Sequence, residues 1–304
     1  MPKIKTNDSK GQFRQGLVLQ HSKGQHLLIN PHIIEGIVEK AGLRSNDICL
    51  EIGPGTGNLT MKLLERCQKV IAVEVDPRMV IELKKRVAGT PYNSKLLIIQ
   101  GDVLKVDLPF FSIVVANIPY SISSPLLFRL LSIRPLWRTA ILMLQAEFAQ
   151  RLVALPDSEL YCRLTVNTSL LANVSHVMKV GKGNFRPPPQ VDSAVVRIEP
   201  RNPPLSIDYR EWDGLTRICF MRKNKTIGAL FKLDNVVEMM EKNYRTFMSL
   251  SGKALPADDV PMKQKLEQLL VSSGFAEKRG IKLDLDDFLQ LLKVFNEADL
   301  HFSS

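Results

Sequence analysis

The feature that most constrains this chain is a regular alternation of short apolar runs with amphipathic segments between residues 31 and 151. The apolar runs lie at 48–52, 70–75, 96–99, 113–116 and 140–144. Between them, apolar residues recur at the three- and four-residue spacing of helices. Strands that are apolar on both faces are typical of parallel sheets covered by helices on both sides. The sequence therefore predicts an α/β fold with a central, mostly parallel sheet.

Composition and the positions of the prolines predict three regions. Residues 1–30 are polar and basic, which predicts a flexible arm. Residues 31–200 carry the α/β pattern, and segments 174–180 and 194–198 within them could pair as an antiparallel hairpin at one edge. The prolines of EPRNPP at 199–204 mark a boundary, because consecutive prolines continue neither a helix nor a central strand. Residues 201–304 then read as a smaller, mostly helical domain.

Charge and cysteine usage limit the kinds of partner and binding site that this chain can have. The chain has 41 Lys and Arg against 31 Asp and Glu, a formal net charge of +10, and this excess favours a polyanion such as nucleic acid as partner. A basic but inert surface is the alternative. No apolar run is long enough to span a membrane. The four cysteines form no CxxC pair and have no histidines at zinc-ligand spacing, so we expect no metal and no disulfide framework.

The first predicted strand ends in a glycine-rich loop, EIGPGTGN at 51–58. Glycines allow a tight turn and close approach of a ligand, and open α/β sheets bind ligands at the carboxyl ends of their strands. The spacing is GxGxG and differs from the GxGxxG of dinucleotide-binding loops. Gly53 is thus a candidate binding residue, with a plain tight turn as the alternative.

Acidic residues end the next two strands. Glu74 follows the glycine loop by about twenty residues, where an acid commonly accepts hydrogen bonds from both ribose hydroxyls of an adenosine ligand. Asp102 ends the following strand and can accept the exocyclic amine of an adenine. The alternatives are a capping or solvent-facing acid for Glu74 and a plain turn for Asp102. Asp76, before Pro77, already fits the role of helix cap.

The fourth strand ends in Asn117-Ile118-Pro119-Tyr120. An amide oxygen, a backbone carbonyl and an aromatic ring together suit a planar ring that bears an exocyclic amine. Two acceptors on the amine hydrogens free the nitrogen lone pair from the ring, and the ring stacks on Tyr120. The alternative is a strand-end turn with a core tyrosine.

Together these motifs resemble those of class I S-adenosylmethionine-dependent methyltransferases, and most specifically the small-subunit ribosomal RNA adenine dimethyltransferases. The matching stretches are GQHLLINP at 24–31, LEIGPGTGNLT at 50–60, EVDPR at 74–78, GD at 101–102, NIPYSISSP at 117–125, FRPPPQVDSAVVRIEP at 185–200, MRKNKT at 221–226 and the C-terminal FNEADLHF. The resemblance covers residue 24 to the end, and its last stretches are similar to the eukaryotic branch that serves cytosolic ribosomes.

The resemblance implies a Rossmann-like class I methyltransferase sheet followed by a helical rRNA-binding domain. It implies S-adenosylmethionine as cofactor, contacted by His26, Leu28, Gly53, Glu74, Asp102 and Asn117. It also implies that Asn117, Tyr120 and Phe185 serve methyl transfer, with Phe185 facing the target base opposite the tyrosine. The implied reaction is N6-dimethylation of two adjacent adenosines near the 3′ end of small-subunit rRNA, by a monomer in the nucleus and nucleolus. The implied partner is the rRNA or a pre-ribosomal particle, without membrane or metal.

Several residues keep a second interpretation. His26 is either a cofactor contact or an exposed or RNA-contacting residue of the arm. Phe185 is either a base contact or a hydrophobic plug. The cluster Arg222, Lys223 and Lys225 either contacts phosphate or is a solvated face. The family usually has leucine at Ile118, which changes nothing if only its carbonyl is used, and many eukaryotic relatives have a basic residue at Ala146, which puts one RNA contact in doubt.

Three rival functions remain open at this stage. The chain could be a ribosome-assembly factor whose binding matters more than its methylation. It could be a mitochondrial relative that also assists transcription, although MPKIKTNDSK is unlike an Arg-rich presequence. A DNA adenine methyltransferase would use a similar Asn-Pro-Tyr loop, but the match at 185–200 and the helical tail argue against it.

Overall fold

The computed structural model of the chain describes residues 26–253 and 260–303. In these ranges the strands are β1 (Leu27–Leu28), β2 (Ile48–Ile52), β3 (Lys69–Glu74), β4 (Leu96–Gln100), β5 (Ile113–Asn117), β6 (Thr139–Gln145), β7 (Ala172–Val180), β8 (Phe185–Arg186) and β9 (Ser193–Pro200). The helices up to the last strand are α1 (Pro31–Ala41), α2 (Asn58–Arg66), α3 (Pro77–Val87), α4 (Ser123–Ser132), α5 (Ala146–Leu152) and α6 (Arg163–Leu171). The helices after it are α7 (Tyr209–Cys219), α8 (Ile227–Phe231), α9 (Asp234–Leu250), α10 (Met262–Ser272) and α11 (Leu285–Glu297).

One seven-stranded sheet, in the order β4-β3-β2-β5-β6-β9-β7, forms the centre of the molecule. The first five strands of that order are parallel, and β9 and β7 are antiparallel to their neighbours. The predicted α/β class and the predicted edge hairpin are therefore confirmed. The chain leaves β2 toward β3 on one side and returns as β5 on the other. This reversal opens a crevice at the carboxyl ends of β2 and β5, where such sheets bind ligands.

The inner strands β2, β3, β5 and β6 of this sheet are buried on both faces. On β2, Leu50 and Ile52 pack into one apolar cluster, whereas Cys49 packs into a second cluster on the opposite face. Alternate residues point to opposite faces of a strand, so a strand between two layers of helices must be apolar at nearly every position. For this reason the buried strands can be recognised in the sequence as short apolar runs.

Local capping signals fix the starts of two helices as predicted. The Asn30 side chain accepts a hydrogen bond from the backbone N–H of His32 at 2.9 Å, and Pro31 occupies the first turn of α1. The Asp76 carboxylate accepts from the backbone N–H of Arg78 at 3.0 Å at the start of α3. Both caps hold helices whose N-termini lie at the carboxyl edge of the sheet or beside it, so they help to position the crevice.

The helices after residue 200 pack around a separate apolar core. Trp212, Phe231 and Phe288 are fully buried there. Val166 and Leu170 of α6 join the same cluster, while Leu164 packs against the sheet. The last strand ends at Pro200 and α6 packs against both apolar cores, so the division into domains stays a prediction.

Residues 26–30, the end of the predicted arm, are tied to the sheet region. Leu27 and Leu28 of β1 pair antiparallel with Arg186 and Phe185 of β8. The rest of the arm lies outside the described residues. In the described ranges, no helix is long and apolar enough to cross a bilayer, and no group of three or more His, Cys, Asp or Glu is arranged to hold a metal ion.

Candidate active site

The glycine loop after β2 adopts a conformation that favours glycine. Gly53 has a φ of +65° and Gly55 a φ of +55°. A Cβ atom on Gly55 would lie 2.5 Å from Leu27 Cδ2, so the leucine side chain would have to shift to admit it. A Cβ atom on Gly53 would lie 3.7 Å from the backbone oxygen of Asn117. The loop is thus pressed between β1 and the end of β5, and its bare backbone faces the crevice.

Glu74, at the end of β3, is 6% exposed and turns its carboxylate toward the glycine loop. Its Oε2 accepts a hydrogen bond from the backbone N–H of Gly55 at 3.2 Å, and its Oε1 accepts from that of Asp76 at 2.9 Å. Burial raises the pKa of this carboxyl, and the two backbone N–H groups work in the opposite direction. Because an ionised carboxylate has about four lone-pair sites, both oxygens keep capacity to accept from further hydroxyls.

Asp102 stands at the end of the neighbouring strand, β4. Its Oδ1 accepts a hydrogen bond from the backbone N–H of Leu104 at 2.9 Å, and its Oδ2 has no hydrogen-bond partner in the described part of the chain. Just before it, the backbone N–H of Gly101 donates to the Glu74 carbonyl at 2.9 Å. The two predicted acids are therefore held side by side on adjacent strand ends.

Asn117, at the end of β5, has an oriented amide. Its Nδ2 donates to the backbone oxygen of His26 at 3.2 Å, which leaves Oδ1 without a hydrogen-bond donor in the described residues. The following residue, Ile118, is 1% exposed and donates its N–H to the backbone oxygen of Met143 at 3.2 Å. Its side chain lies in the core, so the replacement of leucine by isoleucine concerns packing and not the crevice. Asn117 thus presents an acceptor next to the Gly53 loop.

Tyr120 follows in a short 3-10 turn and is half-buried. Its hydroxyl lies 2.6 Å from Ser193 Oγ, and its ring is inclined by 25° to the His26 ring at a centroid distance of 6.2 Å. Burial raises the pKa of the Tyr120 phenol, and the nearby Asp192 charge acts in the same direction. The phenol is therefore neutral at physiological pH, which suits a stacking surface better than a proton acceptor.

The strand β1 closes the crevice from the N-terminal side. Asn58 Nδ2 donates to the backbone oxygen of Leu28 at 2.9 Å, and His26 Nδ1 lies 2.9 Å from the backbone oxygen of Pro187. Phe185, opposite Leu28 in the β1–β8 pair, is 3% exposed and packs in the apolar cluster beneath it. This placement agrees with the hydrophobic-plug interpretation of Phe185, and a role opposite the target base stays a prediction.

Three residues of the crevice were not singled out from the sequence. Asn58 is the last residue of the glycine-rich loop, so its position alone could have suggested it. Ser193 is 1% exposed and carries no local signal that would connect it with Tyr120. Glu51 is also 1% exposed, and burial together with the charge of Glu74 raises its pKa to about 8, although the nearby Thr60 hydroxyl acts in the other direction.

Similar proteins of known family identify the family to which this chain belongs. Residues 17–266 match the family model described as ribosomal RNA adenine dimethylase. The chain belongs to the ribosomal RNA adenine dimethylase family. It is 56% identical over 299 residues to a probable dimethyladenosine transferase of Dictyostelium discoideum, covering 98% of this chain and 95% of the relative. It is 53% identical over 308 residues to a probable dimethyladenosine transferase of Drosophila melanogaster, covering both chains completely.

Solved structures agree with this assignment. The crystal structure of a dimethyladenosine transferase from Plasmodium falciparum superposes with a TM-score of 0.86 at 45% identity, over 91% of this chain and 100% of that one. The crystal structure of the 23S rRNA methyltransferase ErmE superposes with a TM-score of 0.62 at 27% identity, over 89% of this chain and 99% of that one. A member of this family is an rRNA adenine dimethyltransferase, and its cofactor is S-adenosylmethionine.

The residues of the crevice fit that cofactor chemically. A glycine backbone with positive φ at Gly53 leaves room that a side chain would fill, and Glu74 and Asp102 offer carboxylate oxygens on adjacent strand ends. These are the groups that an adenosine moiety requires for its ribose hydroxyls and its exocyclic amine. Their assignment to individual contacts is part of the proposal below.

Proposed function

We propose that this chain transfers methyl groups from S-adenosylmethionine to N6 of two adjacent adenosines near the 3′ end of small-subunit rRNA. We further propose that it acts as a monomer on the rRNA or a pre-ribosomal particle, within small-subunit biogenesis in the nucleus and nucleolus. The observation that carries the proposal is the juxtaposition of the two loops: a Cβ on Gly53 would lie 3.7 Å from the backbone oxygen of Asn117. A donor held on the glycine loop and an amine held by Asn117 would therefore meet.

The cofactor-holding residues are those at the strand ends. Glu74 accepts the ribose hydroxyls, Asp102 accepts the adenine amine, and the backbone at Gly53 passes beneath the ligand. His26, Leu28 and Asn117 lie around the opposite, methionine end, where Asn117 Nδ2 already bonds the His26 backbone at 3.2 Å. S-adenosylmethionine supplies an activated methyl group on a positively charged sulfur.

The chain's contribution to the transfer is to hold and polarise the target amine. Asn117 Oδ1 and the Ile118 carbonyl accept the two N6 hydrogens, so the nitrogen lone pair is withdrawn from the purine ring and directed at the methyl carbon. Held in this way, the nitrogen would accept the methyl group that the cofactor supplies and would then release one proton to water. Positioning of this kind accounts for a large part of the rate enhancement of many enzymes.

The target base is held by Tyr120. Its ring offers a face on which a purine splayed out of the RNA stacks, a contact worth about 1–3 kcal/mol per base. The bond of its hydroxyl to Ser193 at 2.6 Å fixes the orientation of that face. Transfer of a second methyl group requires that the cofactor product leaves and that the monomethylated amine fits the same pocket.

Mapping of the modified nucleosides tests the proposed target. Precursor small subunits are incubated with the protein and labelled cofactor, and the rRNA is cleaved into defined fragments before nucleoside analysis. We expect label only as N6,N6-dimethyladenosine, at two neighbouring positions of the 3′-terminal fragment. Label on isolated adenosines elsewhere would leave the dimethyltransferase activity in place and reject the proposed target.

A second role in assembly is favoured by a basic pocket on the helical part of the chain. This pocket, of about 870 Å³, is lined by Arg222, Lys223, Lys225 and Arg279. Such a cluster binds RNA phosphates without help from the crevice. Asn117→Ala, whose methyl transfer should fall by orders of magnitude, decides the weight of this role: if ribosome production continues with it, binding matters more than methylation.

A further inference from the structure

A second pocket lies between the α/β part and the helical part of the molecule. It has a volume of about 580 Å³, within the range of about 300–1,000 Å³ usual for small-molecule sites. Its walls come from α4, α5, α6, α7 and the segment after α7. Its lining includes four aromatic and three cationic side chains: Phe128, Phe148, Tyr209, Phe220, Arg151, Arg163 and Lys223.

This pocket opens on the same edge of the sheet as the crevice. α4 begins at Ser123, directly after the turn that carries Tyr120, and α5 begins directly after β6. The first turns of both helices therefore lie at the carboxyl ends of β5 and β6. Ser124 and Phe148, which belong to those first turns, line the pocket. One end of the pocket therefore lies at the edge of the sheet that carries Tyr120.

The charge of the pocket is unbalanced. Arg151, Arg163 and Lys223 form no ion pair within the described part of the chain. The acid in the lining, Asp213, is already engaged: its Oδ1 accepts from Asn167 at 2.8 Å and its Oδ2 pairs with Arg217 at 2.8 Å. Lys223 also lines the larger basic pocket with Arg222 and Arg279, so the cations continue from one pocket into the next.

The aromatic side chains give the pocket a surface that a phosphate alone would not need. Phe128 and Tyr209 lie with ring centroids 6.3 Å apart, inclined by 50°, and Tyr209 is 36% exposed. Single-stranded nucleic acids are held by this combination of cations for the backbone and aromatic faces for the bases. An acidic protein segment would use the cations but leave the ring faces without a partner.

We propose that this pocket binds a nucleotide of the rRNA strand adjacent to the target adenosine, with its phosphate on Arg151 and Arg163 and its base against Tyr209 and Phe128. The inference rests on the proposed function, since it presumes that RNA lies along this edge of the sheet. The pocket would hold the strand in register while a neighbouring base occupies the crevice. Binding there adds affinity for the substrate RNA and none for the cofactor.

Cys162 provides a direct reporter of occupancy. It lines the pocket and is partly exposed, whereas the other three cysteines are each 2% exposed or less. Burial works against its ionisation, but hydrogen bonds involving Thr165 and Arg151 hold the pKa of the Cys162 thiol below its ordinary value. Alkylation by iodoacetamide should therefore be rapid near neutral pH.

The first experiment measures the alkylation rate of Cys162 by peptide mass spectrometry with and without ligands. A single-stranded oligonucleotide from the 3′ region of small-subunit rRNA should slow alkylation by about tenfold or more at saturation, and S-adenosylmethionine alone should leave the rate unchanged. Polyglutamate is the comparison polyanion. Equal protection by polyglutamate, or no protection by RNA, would overturn the proposal.

The second experiment compares matched variants of the full chain. Arg163→Gln should weaken oligonucleotide binding by about tenfold, the loss expected for a charged contact, with cofactor affinity unchanged. Lys293→Gln on α11, where the side chain is 74% exposed, removes the same charge elsewhere and should change binding less than about twofold. Tyr209→Phe should bind like the parent, and Tyr209→Leu should bind less tightly.

The outcomes separate this proposal from the proposed function. If the parent methylates rRNA but Arg163→Gln binds RNA as tightly as Lys293→Gln does, the pocket is not a nucleotide site. The proposed methyltransferase function is then unaffected. If the parent fails to methylate any small-subunit RNA, the proposed function fails first, whatever Cys162 reports.

Discussion

The hydroxyl of Tyr120 lies 2.6 Å from the hydroxyl of Ser193, across 73 residues of sequence. Ser193 is 1% exposed and sits at the start of β9, between β6 and β7 in the sheet. The tyrosine face that we assign to the target base is thus anchored by the antiparallel edge of the sheet. Its orientation is set by the fold and not by the turn that carries it.

This relationship predicts an order of activities at position 120. Tyr120→Phe keeps the ring and loses one hydrogen bond, worth about 1 kcal/mol, so it should retain substantial activity. Tyr120→Ala loses the stacking face, worth about 1–3 kcal/mol, and should be much less active. Initial rates of methyl transfer to precursor small subunits provide the comparison.

Ser193→Ala is the matched control for that series. It removes the same hydrogen bond from the other side, so its loss should resemble that of Tyr120→Phe, and the double variant should be little worse than either single one. If Phe and Ala at position 120 were equally inactive, the hydroxyl itself would be required and the stacking role would be wrong.

Glu74→Ala should weaken cofactor binding by about tenfold or more, because a methyl group accepts no hydrogen bond from the ribose hydroxyls. The change also removes the acceptor of the Gly55 N–H at 3.2 Å, so the glycine loop loses support. Calorimetric titration with S-adenosylmethionine measures the effect. Glu74→Gln keeps one acceptor oxygen and should lie between parent and alanine; unchanged affinity in both variants would remove Glu74 from the site.

RNA affinity should fall steeply with salt, because phosphate contacts release counterions. Replacement of Arg222, Lys223 and Lys225 by alanine should reduce the slope of log affinity against log salt by roughly 0.7–0.9 for each phosphate that is no longer neutralised. The triple alanine variant of Lys62, Lys85 and Lys293 removes as many charges from exposed helix faces that carry ion pairs. Indistinguishable slopes for the two triple variants would make the cluster a solvated face.

Glu51 gives the protein a pH-dependent stability. Its pKa is about 8 in the fold against 4.5 for an ordinary glutamate, so the folded protein holds a proton there that the unfolded chain has released. Stability should therefore fall as pH rises through this window, by up to about 1.4 kcal/mol per pH unit from this group. Glu51→Gln should flatten the decline and raise the melting temperature at pH 8 relative to the parent. Parallel curves of melting temperature against pH would contradict the buried neutral carboxyl.

Much of the site was predictable because its residues stand at strand ends, where local patterns are strongest. The apolar strands, the caps Asn30 and Asp76, and the residues that end β2, β3, β4 and β5 all follow from short stretches of sequence. The parallel pairing then brings those ends together without further information.

What escaped prediction depends on contacts between distant parts of the chain. The pairing of β1 with β8 joins His26 to Pro187, 161 residues apart, and buries Phe185. The helix α6 has apolar residues on two sides because it packs against both the sheet and the helical core. Contacts between distant segments leave no periodic pattern in the sequence, so they cannot be predicted from it.

The central claim is that Asn117 holds the target amine beside a cofactor bound on the glycine loop. The most direct test is the amount of N6,N6-dimethyladenosine formed on small-subunit rRNA by the parent and by Asn117→Ala, at cofactor concentrations that saturate both. We predict dimethyladenosine with the parent, a rate lower by orders of magnitude with the variant, and a much smaller change in cofactor affinity. Dimethylation by Asn117→Ala at the parent rate would show that the amine is polarised elsewhere and would contradict the account.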